Sequence, residues 1–313
     1  MSNIINNKTE LLFLYDIENA NPNGDPLNEN RPRFDSETNT ALVSDVRLKR
    51  TIRDYWYEYE GFNGEGDKDI FVRETFYQDE KDPLKSFVKD GKRRAKDFNE
   101  EKNDILNRCI DIRVFGGVIP LDKNSITFTG PVQFQMGRSL NSVEVITEQG
   151  TGAFASKVDA KQDTFRTEYK LPYAVIGFNG IINDKAAKIS LMTEDDKNLL
   201  YKGMWEGTKN LITRSKFGQN PLLFLAITFN GSFYLGRLRQ KLNLIPKEKE
   251  DSIRSVKDYK LDLTDLIDAL KKVKDKVLNI EIRVDPDLKT IYNGNDVILK
   301  EGKSESVDAI FPA

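Results

Sequence analysis

The run Leu222-Leu-Phe-Leu-Ala-Ile-Thr-Phe229 constrains this chain most: it is almost unbroken apolar sequence, shorter than an ordinary helix, and it ends at the turn pair Asn230-Gly231. Such a run reads as a central strand buried on both faces. Glu10-Leu-Leu-Phe-Leu-Tyr-Asp16 and Tyr173 to Ile182 carry the same signal, Ile110 to Phe115 and Ser125 to Phe134 add strands, and Val277 to Val284 is expected to close the sheet. Pro131 marks an edge or a bulge. Helical periodicity separates these strands. Thr193 and Asp196 form a capping-box-like start for a helix over Glu194 to Thr213, with Leu199, Leu200, Met204, Leu211 and Ile212 as its core face. A second, amphipathic helix covers Asp262 to Lys274. Alternating strands and helices predict an α+β fold, with residues 1–313 as one sheet domain.

Two polar stretches interrupt that pattern. Residues 60–108 are charged and punctuated by aromatics and turns, and read as a mostly helical insertion ending in a helix from Asn99 to Arg108. From Met136 to Lys170 apolar density falls; Ser142 to Ile146 alternates like a strand and Gln149-Gly-Thr-Gly152 supplies a turn, so a protruding hairpin is expected. A third irregular piece, Glu18 to Asp35, is rich in Asn, Pro and Gly, and a long ordered loop of this kind is more often functional than decorative.

That loop leads into Ala41 to Trp56. Ser44 or Asp45 can cap a helix starting near residue 45. Leu48, Ile52, Tyr55 and Tyr59 then share one face with Trp56 on its flank, as for a stripe packed on a sheet. Arg47, Lys49, Arg50 and Arg53 occupy the remaining arc, with acidic partners only in Asp54 and Glu58. The arc is either a row of phosphate contacts or a solvated basic face, and composition by itself favours solvation.

A net charge of −2 argues against a generally basic nucleic-acid coat and leaves room for local patches, which recur at residues 92–96, 214–216 and 237–241. The chain has no histidine, which removes the commonest general base, the imidazole-activated nucleophiles and imidazole metal sites. Cys109 is the only cysteine, so a disulfide and a thiolate zinc site are excluded; it is expected to be a small buried residue. No apolar run reaches membrane-span length and Met1 to Lys8 lacks signal-peptide form, so no membrane partner and a cytoplasmic location are expected. Glu301-Gly-Lys-Ser304 imitates the end of a phosphate-binding loop, but Val297 stands where its first glycine belongs.

Asp16, Asp25 and Asp35 flank the long loop and could in principle hold a divalent cation that activates water; turn and cap roles explain Asp25 and Asp35 more simply. Cations also interleave with aromatic or soft side chains at Phe134-Gln-Met136-Gly-Arg138, Phe165-Arg166, Tyr169-Lys170 and Lys216-Phe217, the composition a single-stranded nucleic-acid site needs.

Colinear segments make a resemblance specific. Tyr15 to Pro26, Arg33 to Thr38, Leu42 to Tyr55, Asp111 to Gly116, Thr129 to Phe134, Gly137 to Asn141 and Leu171 to Tyr173 resemble the backbone subunit of type I CRISPR Cascade complexes in its subtype I-B and I-C form. The resemblance implies an RNA-recognition-motif-like (ferredoxin-like) palm, a helical fingers insertion at 60–108 and a β-hairpin thumb at 137–170. It implies a protein that binds the crRNA spacer in head-to-tail copies with other Cascade subunits and presents it for pairing with target DNA. Arg47, Lys49, Arg50 and Arg53 would contact phosphates, Met136 and Arg138 would wedge or anchor a kinked nucleotide, and Arg166 and Lys170 would assist. Related type III subunits carry a catalytic aspartate after the first strand, which keeps a metal-dependent ribonuclease using Asp25 or Asp35 as one alternative and an RNA-free assembly module as another. The type I pattern implies no cleavage, no cofactor and no metal.

Overall fold

The computed structural model describes residues 3–82, 84–121, 124–151 and 165–311. The fold is mixed α+β, and the chain divides into two compact units, each drawn from three stretches. One comprises Met1–Thr9, Lys49–Gln133 and Ile181–Gly207; the other comprises Glu10–Leu48, Phe134–Gly180 and Thr208–Ala313.

The second unit is built on a large sheet. Its strands run in the order Gly302–Ser304, Val277–Val284, Gln219–Phe229, Thr9–Ala20, Phe165–Ile182, Gly137–Ser139, Thr40–Val43 and Phe34–Asp35. The apolar run at 222–229 is central, as its composition requires, and pairs antiparallel with Val277–Val284 from Leu223↔Val284 to Phe229↔Val277. That partner does not close the sheet. Gly302–Ser304 pairs outside it, because the loop-like glycine at 302 lies beside a strand edge whose N–H and C=O groups need partners. One face buries Leu12, Leu14, Leu225 and Ile227 with Leu266, Ile267 and Leu270 of the helix Thr264–Lys272. Each such side chain contributes roughly 1.5–3 kcal/mol on leaving water.

Phe165–Ile182 is long enough to serve two partners. Its first part pairs with Ile146–Thr151 from Thr151↔Phe165 to Ile146↔Lys170; farther on it pairs with Gly137–Ser139 through Arg138↔Gly177 and Ser139↔Ile176. The expected hairpin therefore has two ordered arms, with residues 152–164 between them outside the described residues. Its first arm starts later than the alternation at 142–146 suggests. The Ser142 and Val143 N–H groups are taken by Glu250 Oε1 (2.7 Å) and Asn39 O (2.9 Å) instead of a ladder. Gln149 and Gly150 are paired within that arm and do not form the turn.

In the first unit the basic helix, Asp45–Tyr59, contributes residues from Lys49 onward. Ile52, Tyr55 and Trp56 are buried, whereas Tyr59 is 55% exposed and stacks on Tyr55. The stripe packs on the helix Glu194–Lys209, where a sheet was expected. Cβ atoms built on Gly203 and Gly207 would lie 2.9 Å from Ile52 Cγ2 and 3.0 Å from Tyr55 Cβ, so two glycines set the helix approach. The Trp56 ring stacks on Phe115 and its Nε1 donates to Leu199 O at 2.9 Å. Helix 194–209 buries Leu200, Tyr201, Met204 and Trp205; it stops before Leu211, and Ile212 is exposed rather than core.

Ile110–Phe115 is helical, not a strand. Its polar positions, which simulate alternation, both point inward. Asp111 accepts from Phe71 N (2.8 Å), Val72 N (3.1 Å) and Arg53 Nε (2.9 Å). Arg113 meets Asp196 at 2.8 Å and donates to the Leu106 and Asn107 carbonyls at the end of the helix Lys102–Arg108. The stretch 60–108 is also less helical than expected. It holds the hairpin Phe76–Gln78 with Ser86–Val88 and the short helices Gly91–Lys96 and Lys102–Arg108, because aspartate side chains at 79 and 82 bind the backbone two residues on and favour turns. Cys109 is buried there among Phe98, Ile105 and Phe128, and burial pushes its thiol well above the usual range.

Candidate nucleic-acid interface

The Asn-rich loop after the first strand is an ordered scaffold. Asp25 O accepts from Asn28 N and Asn30 N, Asn21 Nδ2 donates to Asn30 O at 2.7 Å, and Gly24 pairs with Pro32. Glu29 and Asn30 hold positive φ, and a Cβ on Gly24 would fall 2.0 Å from Asn30 Oδ1, so the tight return needs glycine. Asn23 then ties the loop forward: its O accepts from Arg33 N (3.0 Å) and its Oδ1 from Ser44 N (2.8 Å). Ser44 caps the basic helix, its Oγ accepting from Arg47 N at 3.3 Å.

This loop and the base of the hairpin enclose a groove of about 710 Å³, lined by Arg31, Arg33, Phe34, Leu42, Met136 and Tyr169 among others. Met136 is 47% exposed into it, a state that costs free energy unless a partner covers the side chain. The Arg31 guanidinium lies 4.3 Å from the Tyr169 ring centroid and donates to its hydroxyl at 3.1 Å. Tyr169 in turn donates to Glu29 at 2.7 Å. Arg138, on Gly137–Ser139, contacts Asp35 at 3.1 Å, which holds that carboxyl below its usual range. Like charges also crowd together. Burial and then the Arg47 charge lower the pKa of Lys216, and burial and then Arg138 lower that of Arg239. An anion placed beside either pair would relieve that repulsion.

The sequence-predicted cations have different surroundings. Arg47 is half-buried, while Lys49 is only 8% exposed, its Nζ 3.4 Å from Gln133 Oε1 and 5.7 Å from the Phe115 ring centroid. Arg50 is exposed and pairs with Asp54 at 2.6 Å. The Arg53 side chain is 13% exposed, bound to the fully buried Asp111 and 5.1 Å from the Phe115 centroid. Lys170 reaches Glu148 at 2.6 Å. The side chains of Phe165 and Arg166 lie outside the described residues; the backbone of Arg166 pairs with Gly150.

The three loop carboxylates are already engaged. Asp16 is buried, taking hydrogen bonds from the Tyr173 hydroxyl (2.8 Å) and Asn220 Nδ2 (3.0 Å). Asp25 accepts from Leu27 N and pairs with Arg33, and Asp35 accepts from Glu37 N as well as Arg138. Among the described residues no group of three or more His, Cys, Asp or Glu side chains converges as a metal site would require.

Residues 7–264 match the family model for CRISPR-associated protein Cas7. The chain is also 31% identical to a CRISPR-associated protein Cas7 of Haloferax volcanii over 304 residues, covering 88% of this chain and 86% of that one. This chain belongs to the Cas7 family. Two solved chains share the fold at 11% identity and a TM-score of 0.51: one from a CRISPR RNA-guided surveillance complex (92% of this chain, 95% of that one) and one from such a complex in a pre-nicking state (86% and 89%). The family implied by the segments between Tyr15 and Tyr173 is thus the one the comparisons find. No helix among the described residues is long and apolar enough to cross a membrane.

In this Cas7 chain the groove adds residues that charge counting alone does not reach. Arg31, Arg33 and Phe34 sit in a segment read as a loop of turns, and the available signal was the Arg-Pro-Arg-Phe cluster inside a long loop that the scaffold has to hold in place. Arg214, in a patch noted for its charge, reaches Glu168 on the long strand at 2.7 Å.

Proposed function

We propose that this Cas7 protein is the crRNA-binding backbone subunit of a type I complex, in the I-B or I-C form. It works in the cytoplasm with other Cascade subunits and presents the guide for pairing with target DNA. The groove carries the reading: cations, an exposed methionine and an aromatic ring converge there in a chain with no overall positive charge. In this reading the sheet unit is an RNA-recognition-motif-like palm, the hairpin at 137–170 the thumb, and residues 60–108 the fingers. Arg47, Lys49, Arg50, Arg53, Arg138, Arg166 and Lys170, joined by Arg31 and Arg33, serve the RNA backbone, and Met136 wedges beside a displaced base. Copies add head to tail, a heterologous contact that propagates until the RNA ends. Sequence choice then rests on guide pairing.

The subunit does not cleave RNA in this reading, since each loop carboxylate already has donors of its own. Purified protein should carry RNA, seen as a high ratio of absorbance at 260 nm to 280 nm. Replacing Arg47, Lys49 and Arg50 by Ala should weaken binding of unrelated single strands alike, lowering the salt slope by roughly 0.7 for each lost phosphate contact. Unchanged affinity and slope reject the basic-helix assignment. RNA degradation in Mg²⁺ or Mn²⁺ that disappears in Asp35→Ala would establish the nuclease alternative instead.

A further inference from the structure

The cations of the groove (Arg31, Arg33), of the strand that carries Arg138 and of a second pocket that shares Tyr169 with the groove (Lys170, Arg214) are matched, nearly one for one, by carboxylates of the same unit. Arg31 meets Glu29 at 3.2 Å, Arg33 meets Asp25 at 3.4 Å, and Arg138 meets Asp35 at 3.1 Å. Lys170 meets Glu148 at 2.6 Å and Arg214 meets Glu168 at 2.7 Å. A site evolved only for maximum attraction to phosphate would leave such cations without fixed counter-charges. We propose that Asp25, Glu29, Asp35, Glu148 and Glu168 are specificity-determining residues, internal counter-ions displaced only by a strand long enough to engage several of the cations at once.

This rests on the RNA reading above and gives it a length selectivity. Exchanging one carboxylate for one phosphate swaps an anion for an anion, so an isolated phosphate or a mononucleotide gains almost nothing. The Arg31, Arg33 and Arg138 pairs are exposed or partly exposed and individually weak, so none is a lock. A continuous strand is different. Once its first phosphate has displaced one carboxylate, the next phosphates reach their cations at high effective concentration, and the small gains multiply. Glu29 illustrates the device: its carboxylate is bound by both Arg31 and the Tyr169 hydroxyl, which together hold its pKa below the usual range, so it stays charged and in place while the groove is empty. The same contacts lay the Arg31 guanidinium on the Tyr169 ring, so displacing Glu29 releases a cation and a stacking face together.

The test compares the RNA-free wild-type chain with Asp25→Asn/Glu29→Gln/Glu148→Gln/Glu168→Gln, and with Glu29→Gln alone in case the multiple variant misfolds. Probes are oligouridylates of about 30 and about 5 nucleotides, sizes above and near a single site for single-strand binders. The wild type should bind the long probe and discriminate strongly against the short one. The variants should bring the short probe into measurable binding, tenfold or more tighter in the quadruple variant; the long probe, which engages more of the unmasked cations, should gain at least as much, and salt slopes should steepen by up to about 0.7 per restored cation. A wild type that binds the short probe as tightly as the long one would overturn the length selectivity; unchanged affinities would overturn any role for the carboxylates. If neither chain binds either probe, the RNA reading itself fails and takes this inference with it.

Discussion

Asp111→Ala tests whether the cationic helix is anchored as the hydrogen bonds imply. The carboxylate is fully buried and accepts three hydrogen bonds, two from backbone N–H groups of Phe71 and Val72 and one from Arg53. Truncation strands the Arg53 guanidinium in a site where its side chain is 13% exposed. Breaking a buried pair from one side costs about 3–5 kcal/mol, and each orphaned N–H would cost about 1–3 kcal/mol in isolation. These terms share one group and do not add, so about 4 kcal/mol is expected, a factor of roughly 10³ in the unfolding equilibrium. Both tryptophans of the chain, Trp56 and Trp205, belong to the same unit as Asp111, so tryptophan fluorescence during urea unfolding reads that unit selectively. Asp111→Asn keeps the shape and one acceptor and should lose less. Arg53→Met with Asp111→Leu removes the stranded charge and should recover that part of the loss, while the Phe71 and Val72 N–H groups stay unpaired. A loss below about 1 kcal/mol for Asp111→Ala would refute the buried-anchor reasoning.

Two further outcomes follow from packing and burial in the sheet unit. Gly137→Ala places a Cβ 2.5 Å from the Phe178 ring, so overpacking should cost about 1–3 kcal/mol in the denaturant midpoint; a neutral substitution would mean that the strand base yields freely. Asp16 has its pKa raised, burial being the largest cause, so the folded state binds that proton more tightly than the unfolded state. The stabilisation from this group is full at acid pH and is lost as pH rises through the raised value. Asp16→Asn should therefore gain stability relative to wild type between acid and neutral pH, measured by urea midpoints across that range; a gap that stays flat or narrows contradicts the sign.

The central strands and the basic helix were legible because periodicity and capping are local. Leu222 to Phe229 lies in the sheet interior, and Ser44 caps the helix at the residue its sequence offers. What failed was the assumption that polar residues face water. Asp111 and Arg113 make Ile110–Phe115 look like an alternating strand, yet both turn inward to partners distant in sequence, which no local window contains. Gly203 and Gly207 similarly add nothing to an apolar count, although they decide what the Ile52 and Trp56 stripe packs on.

The same failure bears on how the cationic helix should be dissected. Their place on one arc suggested equal roles, but Arg50 has the exposed i,i+4 partner the sequence offers, Lys49 is nearly buried, and Arg53 is committed to Asp111. An alanine at position 53 that abolished RNA binding would thus report lost folding as readily as a lost phosphate contact. Arg31 and Arg33, whose partners Glu29 and Asp25 are exposed and partly exposed, can be truncated at about 0–1 kcal/mol of stability each. A footprint that depends on Arg31 and Arg33 at unchanged urea midpoint therefore carries more weight for guide binding than any loss seen at Arg53.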